Sequence, residues 1–498
     1  MGSLQGVREG KFLCLRLAFH LAGVKESHLC FSLCPHPSEC DHRFERRRRS
    51  ANLMKRSSAT NAHITNWWHL FAVYNDPRVL LILPLGFASG LPYLLTFSSL
   101  SAWLATAGVR RAAIGAFALV GISYTFKWVW SPLLDRLRPP LPLGRRRGWG
   151  ITIQAALVAA LLALGSSDPK HNLTVMAALA VTVAFLSASQ DIVIDAYRVE
   201  FLPLDLQGPG AAMVETGYRI AMLVSGAGTL VIAARAGWFV AYATMAALQA
   251  ACMFVLLFSP EPPQSIEAAR QAKTEARTSL AHWFSKSVVS PFADFMRRPI
   301  WPLILIFIFG YKLGEGMAAV MSTPLYISLG FSLNEIAAVS KFVGFFGTVV
   351  GALLGGIVTV RFGILRSLMI CGVLQLAGNL FYIVQAVEGH SLPYLAICVT
   401  AEQITSAMAS AALVAYLSSL CSPAFTATQY ALLSSLIQVG GKIVGSSGGW
   451  LSEKLGWVNF FLITSIVTVP ALLLLIWISR RDAAQPDQNA PALLLTKS

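Results

Sequence analysis

Val79–Leu104 reads VLLILPLGFASGLPYLLTFSSLSAWL, a run without a single charged residue. It is longer than the roughly 20 apolar residues that cross the hydrocarbon core of a bilayer. Ala211–Ala234, which carries Glu215 and Arg219, and Phe461–Ile478 are further long apolar runs, and 55% of the 498 residues are hydrophobic against 13% charged. A soluble domain of this length needs a charged, water-facing surface. Here the charges sit in short bursts between apolar runs, which makes the chain an all-α integral membrane protein.

Working outward, apolar runs and their breakers predict spans near 79–106, 113–134, 149–166, 172–197, 211–235 and 237–258. Further spans follow near 300–328, 335–360, 363–386, 391–420, 425–450 and 456–479, about 12 in all. The expected units are an N-terminal extension (1–75), a first bundle (76–258), a linker (259–298), a second bundle (299–480) and a tail (481–498). In the linker, Trp283, Phe284, Val288, Val289, Phe292 and Phe295 alternate with Lys286, Asp294, Arg297 and Arg298. That pattern suits either a helix lying in the membrane interface or a plain tether.

Basic residues set the topology. With both termini cytoplasmic, the inside connections hold Arg136, Arg138, Arg145, Arg146, Arg147, Arg198, Arg361 and Arg366. The outside ones hold only Arg110, Arg111, Lys170, Arg235 and Lys454, and of these Arg110 and Arg111 run against the bias. The formal charge of +15 lies largely in such flanking clusters. It is not interleaved with exposed aromatics in a soluble domain, so a nucleic-acid partner is excluded.

Residues 1–53 precede Met54-Lys55-Arg56, itself a plausible start, and read as an upstream extension of the frame or a disordered tail. They are not a signal peptide, because the basic cluster follows the apolar stretch. Cys14, Cys30, Cys34 and Cys40 with His36 and His42 have irregular spacing without a CxxC pair, so no metal site is expected. Cys252, Cys371, Cys398 and Cys421 lie in apolar runs as small core residues.

The two halves repeat weakly. Asp76-Pro77 precedes the first span as Arg298-Pro299 precedes the seventh, and Gly108 follows Pro77 at the offset at which Gly330 follows Pro299. Gly226 precedes Gly237-Trp238 as Gly445 precedes Gly456-Trp457. Two related six-helix bundles around a central site are the plan of the major facilitator fold.

A charge at bilayer depth is costly unless it faces a cavity or a partner, so intramembrane charges are the candidate site. The fourth span carries Gln190, Asp191, Asp195 and Arg198, with the two carboxylates one turn apart on one face. Either carboxylate is a candidate proton carrier, while Asp195 and Arg198 also read as a structural pair. Glu215, Tyr218 and Arg219 lie on the fifth span, where Arg219 either neutralises Glu215 or binds a substrate carboxylate. The seventh holds Tyr311, Lys312 and Glu315, and the second holds Tyr124, Lys127, Trp128 and Trp130, whose indoles suit a sugar face or an interfacial belt. Lys341, Glu402, Gln403, Gln429, Gln438 and Lys442 complete the set. HExxH, the Walker lysine loop and CxxC are absent, so an enzyme is not expected and no cofactor is implied. Transport without a nucleotide loop runs on an ion gradient or downhill.

Ser89-Gly90-Leu91-Pro92, Leu100-Ser101-Ala102-Trp103-Leu104, Phe117–Gly121 and Trp130–Arg136 resemble the AmpG-type muropeptide permeases of the major facilitator superfamily. So do Ser189-Gln190-Asp191 with Asp195-Ala196-Tyr197-Arg198, Gly217-Tyr218-Arg219-Ile220, and Tyr311-Lys312-Leu313-Gly314. The resemblance runs from about residue 76 to 480, fades after 340 and leaves out 1–60. It implies a multi-pass protein of the bacterial inner membrane that imports anhydro-muropeptides with protons, for peptidoglycan recycling and β-lactamase induction. A monomer with lipid around it is expected. Asp135-Arg136 before Gly144-Arg145-Arg146-Arg147 resembles the superfamily's loop motif between its second and third helices, with altered spacing, which implies a gating role.

On this reading Asp191, Asp195, Asp135 and Arg136 serve proton coupling or gating. Lys127, Arg219 and Lys312, with Glu315 beside it, meet the peptide, and Tyr124, Gln190, Tyr218 and Tyr311 meet sugar hydroxyls. Two rivals remain: a carrier of another anionic conjugate such as acetyl-coenzyme A, and a membrane sensor that does not transport.

Overall fold

The computed structural model describes residues 70–110, 113–114, 117–137, 139–263, 289–298, 300–332, 335–336 and 338–484. Residues 1–69, with the N-terminal cysteines and histidines, lie outside the described part. Among the described residues every regular element is helical. "Proximal" below denotes the side on which the first span starts, and "distal" the opposite side.

The first bundle opens with α1 (Pro77–Thr96) and α2 (Ser98–Thr106). Asp76 caps α1 by accepting from the Arg78 N–H at 2.8 Å, and Pro77 occupies the first turn, where a missing N–H costs nothing. Pro84 and Pro92 withhold helical donors, and the chain breaks at Phe97. The second span departs from the single helix expected over 113–134. It consists of tight turns at Phe117–Gly121 and Lys127–Val129 with short helices α3 (Ile122–Thr125) and α4 (Ser131–Arg136). The break in one span faces the break in the other, since a Cβ on Gly121 would lie 2.9 Å from the Phe97 ring.

The bundle continues with α5 (Arg145–Gly165), α6 (Leu173–Phe201), α7 (Gln207–Leu223), α8 (Thr229–Ala236) and α9 (Trp238–Phe258). A wider π turn at Val224–Gly228 joins α7 to α8 within one span. The linker ends in α10 (Ser290–Met296), whose Phe295 is buried in the second bundle's core rather than in a membrane interface. Trp283, Phe284 and Val288 lie outside the described residues.

The second bundle comprises α11 (Trp301–Tyr311), α12 (Leu313–Ser328), α13 (Gly344–Phe362), α14 (Ile364–Glu388), α15 (Leu392–Ser419), α16 (Thr426–Ser446) and α17 (Gly448–Ala484), the last broken at Gly456. Among the described residues, ten helices are long and apolar enough to cross a bilayer. The second span falls short through its breaks, and α16 through the Gln, Ser and Thr along it. Gly445-Ser446-Ser447-Gly448-Gly449 has the letters of the hydrolase GxSxG elbow, which needs a strand before its turn. Here a helix precedes it, and Ser447 Oγ donates to the Val444 carbonyl.

The repeat is geometric. Gly108 and Gly330 share a left-handed φ of 80° and 86°, and Gly237 and Gly456 share 87° and 73°. A third pair, Gly144 and Gly363, sits at the equivalent proximal turns with 96° and 76°. Only glycine adopts that backbone cheaply, so each half turns its chain at matching points. Each bundle has its own core: Leu91, Leu95, Leu161 and Tyr242 in the first, and Phe307, Tyr416 and Leu475 in the second. The outer faces expose Phe239, Phe254, Ile306 and Leu473, as lipid-facing surfaces do.

Helix α1 crosses α7 at backbone contact. A Cβ on Gly90 would lie 2.5 Å from the Tyr218 carbonyl oxygen, and one on Gly217 would strike the Leu83 carbonyl. Small residues of this kind replace hydrophobic drive in membrane helix packing. Gly90→Val is expected to lower stability by about 1–3 kcal/mol through overpacking. Gly228→Ala, where the nearest neighbour stands 3.9 Å away, is expected to leave it unchanged. Thermal unfolding in detergent compares the two, and equal melting temperatures would refute the close crossing.

Candidate functional site

The site is built from intramembrane charge in three groups. The first spans the two halves at the proximal side. Asp135, at the end of α4, accepts from Thr428 N at 2.8 Å, Thr428 Oγ1 at 2.7 Å and Ala427 N at 3.3 Å. These are orphan donors of the first turn of α16, so a carboxylate from one half caps a helix of the other and meets its positive end. Arg146 Nη2 holds the same carboxylate at 2.7 Å and also bonds Glu200, which Arg145 reaches at 3.1 Å. The basic-residue pattern places Arg145 and Arg146 in a cytoplasmic connection, yet both are buried, balanced there by the buried carboxylates of Asp135 and Glu200. Glu261, just after α9, caps α5 by accepting from the N–H groups of Arg146 and Arg147.

Other contacts close the same side. Arg198, also buried rather than in a loop, donates to Gln207 at 3.0 Å and across the halves to Ser418 at 3.1 Å, and lies 5.3 Å from the Tyr430 ring centre. Arg136 lies 5.0 Å from the Phe425 ring centre. Tyr74 donates to the Leu353 carbonyl at 2.6 Å, where Gly356 packs against Gly208 and Ala212. Leu134, Ile192, Val193 and Ala196 meet Ala427 and Ala431 in an apolar layer beside the ion cluster.

The second group lies deeper in the first bundle. Asp191 accepts a hydrogen bond from Ser89 Oγ of α1. Asp195, one turn away, is 3.8 Å from Lys127 Nζ and 4.0 Å from Arg198 Nη2. Asp191 also feels Lys127, so one buried lysine serves two carboxylates. Tyr93, Phe97, Tyr124 and Tyr218 pack around this group, with Tyr93 5.4 Å from Tyr124 and 6.1 Å from Tyr218. Tyr93 and Phe97 line a cavity of about 490 Å³ with Leu119, Gly121, Ile122, Thr125 and Phe126.

The third group faces it across the halves. Arg219 donates to Glu215 at 2.8 Å, with its side chain 41% exposed. It lies near enough to Glu315 and Glu402 of the second bundle to feel their charge. Glu315 accepts from Lys312 and Gln375, and Lys312 also reaches the Ser406 carbonyl at 3.3 Å. Glu402 accepts from Gln403 Nε2 at 2.7 Å, and Gln403 accepts from Thr348 Oγ1 at 2.7 Å.

The expected residues thus divide. Asp191, Asp195 and Lys127 come together, as do Lys312 and Glu315, with Tyr218 and Arg219 near both groups. Gln190 and Tyr311 are engaged in packing contacts apart from these ion pairs. Gln190 is fully buried and bonded to Gln249 of α9 at 2.8 Å, and Tyr311 donates to the Leu368 carbonyl at 2.8 Å inside the second core. Sequence reasoning missed Ser89, Tyr93 and Gln375 as members of the site. Their signal was a polar residue within an apolar run, which Ser, Tyr and Gln give only weakly.

A family model described as the Major Facilitator Superfamily matches residues 82–349 and 313–497. The anhydromuropeptide permease of Escherichia coli (strain K12) is 41% identical over 406 residues, 81% of this chain and 80% of its own length. The putative transporter AmpG 4 of Rickettsia felis is 34% identical over 414 residues, 82% of this chain and 98% of its own. Among solved structures, the proton:xylose symporter XylE matches with a TM-score of 0.58 at 14% identity, over 83% of this chain and 95% of that one. A bacterial homologue of the iron transporter ferroportin matches at 0.59 and 12% identity, over 81% and 99%. At such identities the structural likeness concerns the fold alone.

Removing one member of a buried ion group leaves its partner uncompensated, at a cost of about 3–5 kcal/mol. Asp135→Ala is therefore expected to open the proximal side. In a chain keeping Cys421 alone among its cysteines, maleimide labelling of Cys421 should quicken several-fold over the same chain with Asp135 intact. An unchanged rate would show that this carboxylate does not hold the halves together.

Proposed function

The chain belongs to the major facilitator superfamily, among its AmpG-type muropeptide permeases, and from that premise we propose that it imports anhydro-muropeptides from periplasm to cytoplasm, driven by protons. The substrate rests on one observation, the 41% identity to an anhydromuropeptide permease across four-fifths of both chains. On this reading the protein acts as a monomer in a bacterial inner membrane, with both termini cytoplasmic. The product feeds peptidoglycan recycling and the signal for β-lactamase induction.

The proximal side is then the cytoplasmic one. On this reading its ion cluster and the Arg198 contacts form a closed gate. Among the described side chains, Arg219 and Lys312 are cations between the halves, suited to peptide carboxylates through charge-assisted bonds. Tyr93, Tyr124 and Tyr218 present rings and hydroxyls to sugar. Lys127 is committed to Asp191 and Asp195 and belongs to coupling rather than to substrate. A proton on Asp191 would replace its charge-assisted bond to Ser89 with a neutral one and free α1 to move against α6. Asp135 and Arg136 gate by releasing α16.

The test is uptake of labelled anhydro-muropeptide into proteoliposomes. A potential of ~100 mV is worth about 2.3 kcal/mol per net charge moved, about 50-fold accumulation. The wild-type protein should accumulate substrate and lose this with an uncoupler, while Asp191→Asn should only equilibrate it. Still proton-dependent accumulation in Asp191→Asn would remove that residue from coupling. Absence of uptake by correctly inserted wild-type protein would overturn the muropeptide, and competition by coenzyme A esters would then identify the rival cargo.

A further inference from the structure

Glu402 of α15 has no role in the reading above. It is buried, and its recorded bond is from the neutral amide of Gln403, which Thr348 of α13 holds in place. The charged groups that act on it among the described side chains are Glu315 and Lys312 beside it and Arg219 across the halves. Tyr326 of α12, Tyr382 of α14 and Cys398 of its own helix also lie against it. Arg219 is already paired with Glu215.

The side chains of Lys341, on the turn before α13, and of Lys442 of α16 lie outside the described part, and among the described side chains the local charge count does not close. Lys312 offers one positive charge to two carboxylates and gives it to Glu315 by a direct ion pair. Glu315 is locked from a second side by Gln375. Excess negative charge at this depth is costly, and a carboxylate sheds it by binding a proton. When a substrate carboxylate arrives at Lys312, the lysine must divide itself between that group and Glu315. The deficit then grows by one charge, and among the described side chains Glu402 is the carboxylate of this group whose hydrogen bond comes from a neutral amide.

We propose that Glu402 is a proton-binding group whose protonation is obliged by the docking of a peptide carboxylate on Lys312, so that substrate and proton enter the second bundle together. The inference rests on the proposed muropeptide reading and adds a second acid, in the other half of the protein, to Asp191. The proton adds to one Glu402 oxygen from the distal water and leaves when the substrate is released and Lys312 returns wholly to Glu315. Gln403 and Thr348 act as positioning residues that keep that oxygen turned toward Lys312.

Binding calorimetry of purified wild-type protein with anhydro-muropeptide, run in two buffers of different ionisation enthalpy, counts protons taken up per substrate bound. Wild type is expected to take up protons, and Glu402→Gln to take up about one fewer. Glu402→Asp should restore the count, which a merely structural side chain would not do. A muropeptide with its peptide carboxylates amidated should abolish the difference between wild type and Glu402→Gln. Equal proton uptake by wild type and Glu402→Gln would overturn the inference while leaving the muropeptide reading intact. No binding of muropeptide by wild type would overturn both.

Discussion

The bond from Asp135 to the first turn of α16 is the constraint around which the two halves are arranged. It joins a formal charge in one bundle to the unpaired N–H groups and positive end of a helix in the other. Such an interaction has an unusual property for a moving protein. It is strong when made in a water-poor layer, yet it leaves both bundles intact when broken, because α16 keeps its internal bonds. Arg146 and Glu200 make it possible to keep Asp135 charged there, since an unpaired buried carboxylate would neutralise or draw in water. The apolar layer of Leu134, Ile192 and Val193 against Ala427 and Ala431 excludes water from the same junction.

Deeper in the membrane the same rule operates with different stakes. Three pairs of intramembrane charges are matched locally, Lys127 with Asp195, Arg219 with Glu215 and Lys312 with Glu315, while Asp191 and Glu402 accept from neutral donors. A fully balanced set would make a stable bundle and a poor transporter, because a charged substrate would gain nothing by entering. Arg219 and Lys312 instead lie on helices that face each other across the halves. An arriving anion competes for cations already in place, and each such exchange must be repaid by a proton or another partner. Under the proposed function, coupling of substrate to ion follows from the cost of charge in hydrocarbon.

Motion has its own structural provision. Helices α1 and α7 touch backbone to backbone through Gly90 and Gly217, which lets them slide without repacking large side chains. The first two spans break where Phe97 meets Gly121, beside the aromatic group that lines the cavity. Short helices joined by tight turns can rotate in pieces, whereas one continuous helix would have to tilt as a rod.

The apolar runs decided that the chain crosses a membrane many times, and their breakers placed most span ends within a few residues, because hydrophobic length is a local property. The repeat of the halves was legible in Gly108 with Gly330 and Gly237 with Gly456, because a left-handed turn demands glycine wherever it recurs. Pairs one helical turn apart, Glu215 with Arg219 and Lys312 with Glu315, were also legible, since neighbours on a helix face need no fold to bring them together. Tertiary structure alone decided what depends on rotation about a helix axis or on contacts between distant segments. Gln190 and Asp191 are adjacent in sequence, yet one is sealed against Gln249 and the other faces Ser89. Arg145, Arg146 and Arg198 read as loop charges until Asp135, Glu200 and Ser418 appear beside them. Hydropathy and spacing carry composition along the chain, while burial and pairing belong to the space between helices, and that space contains the site.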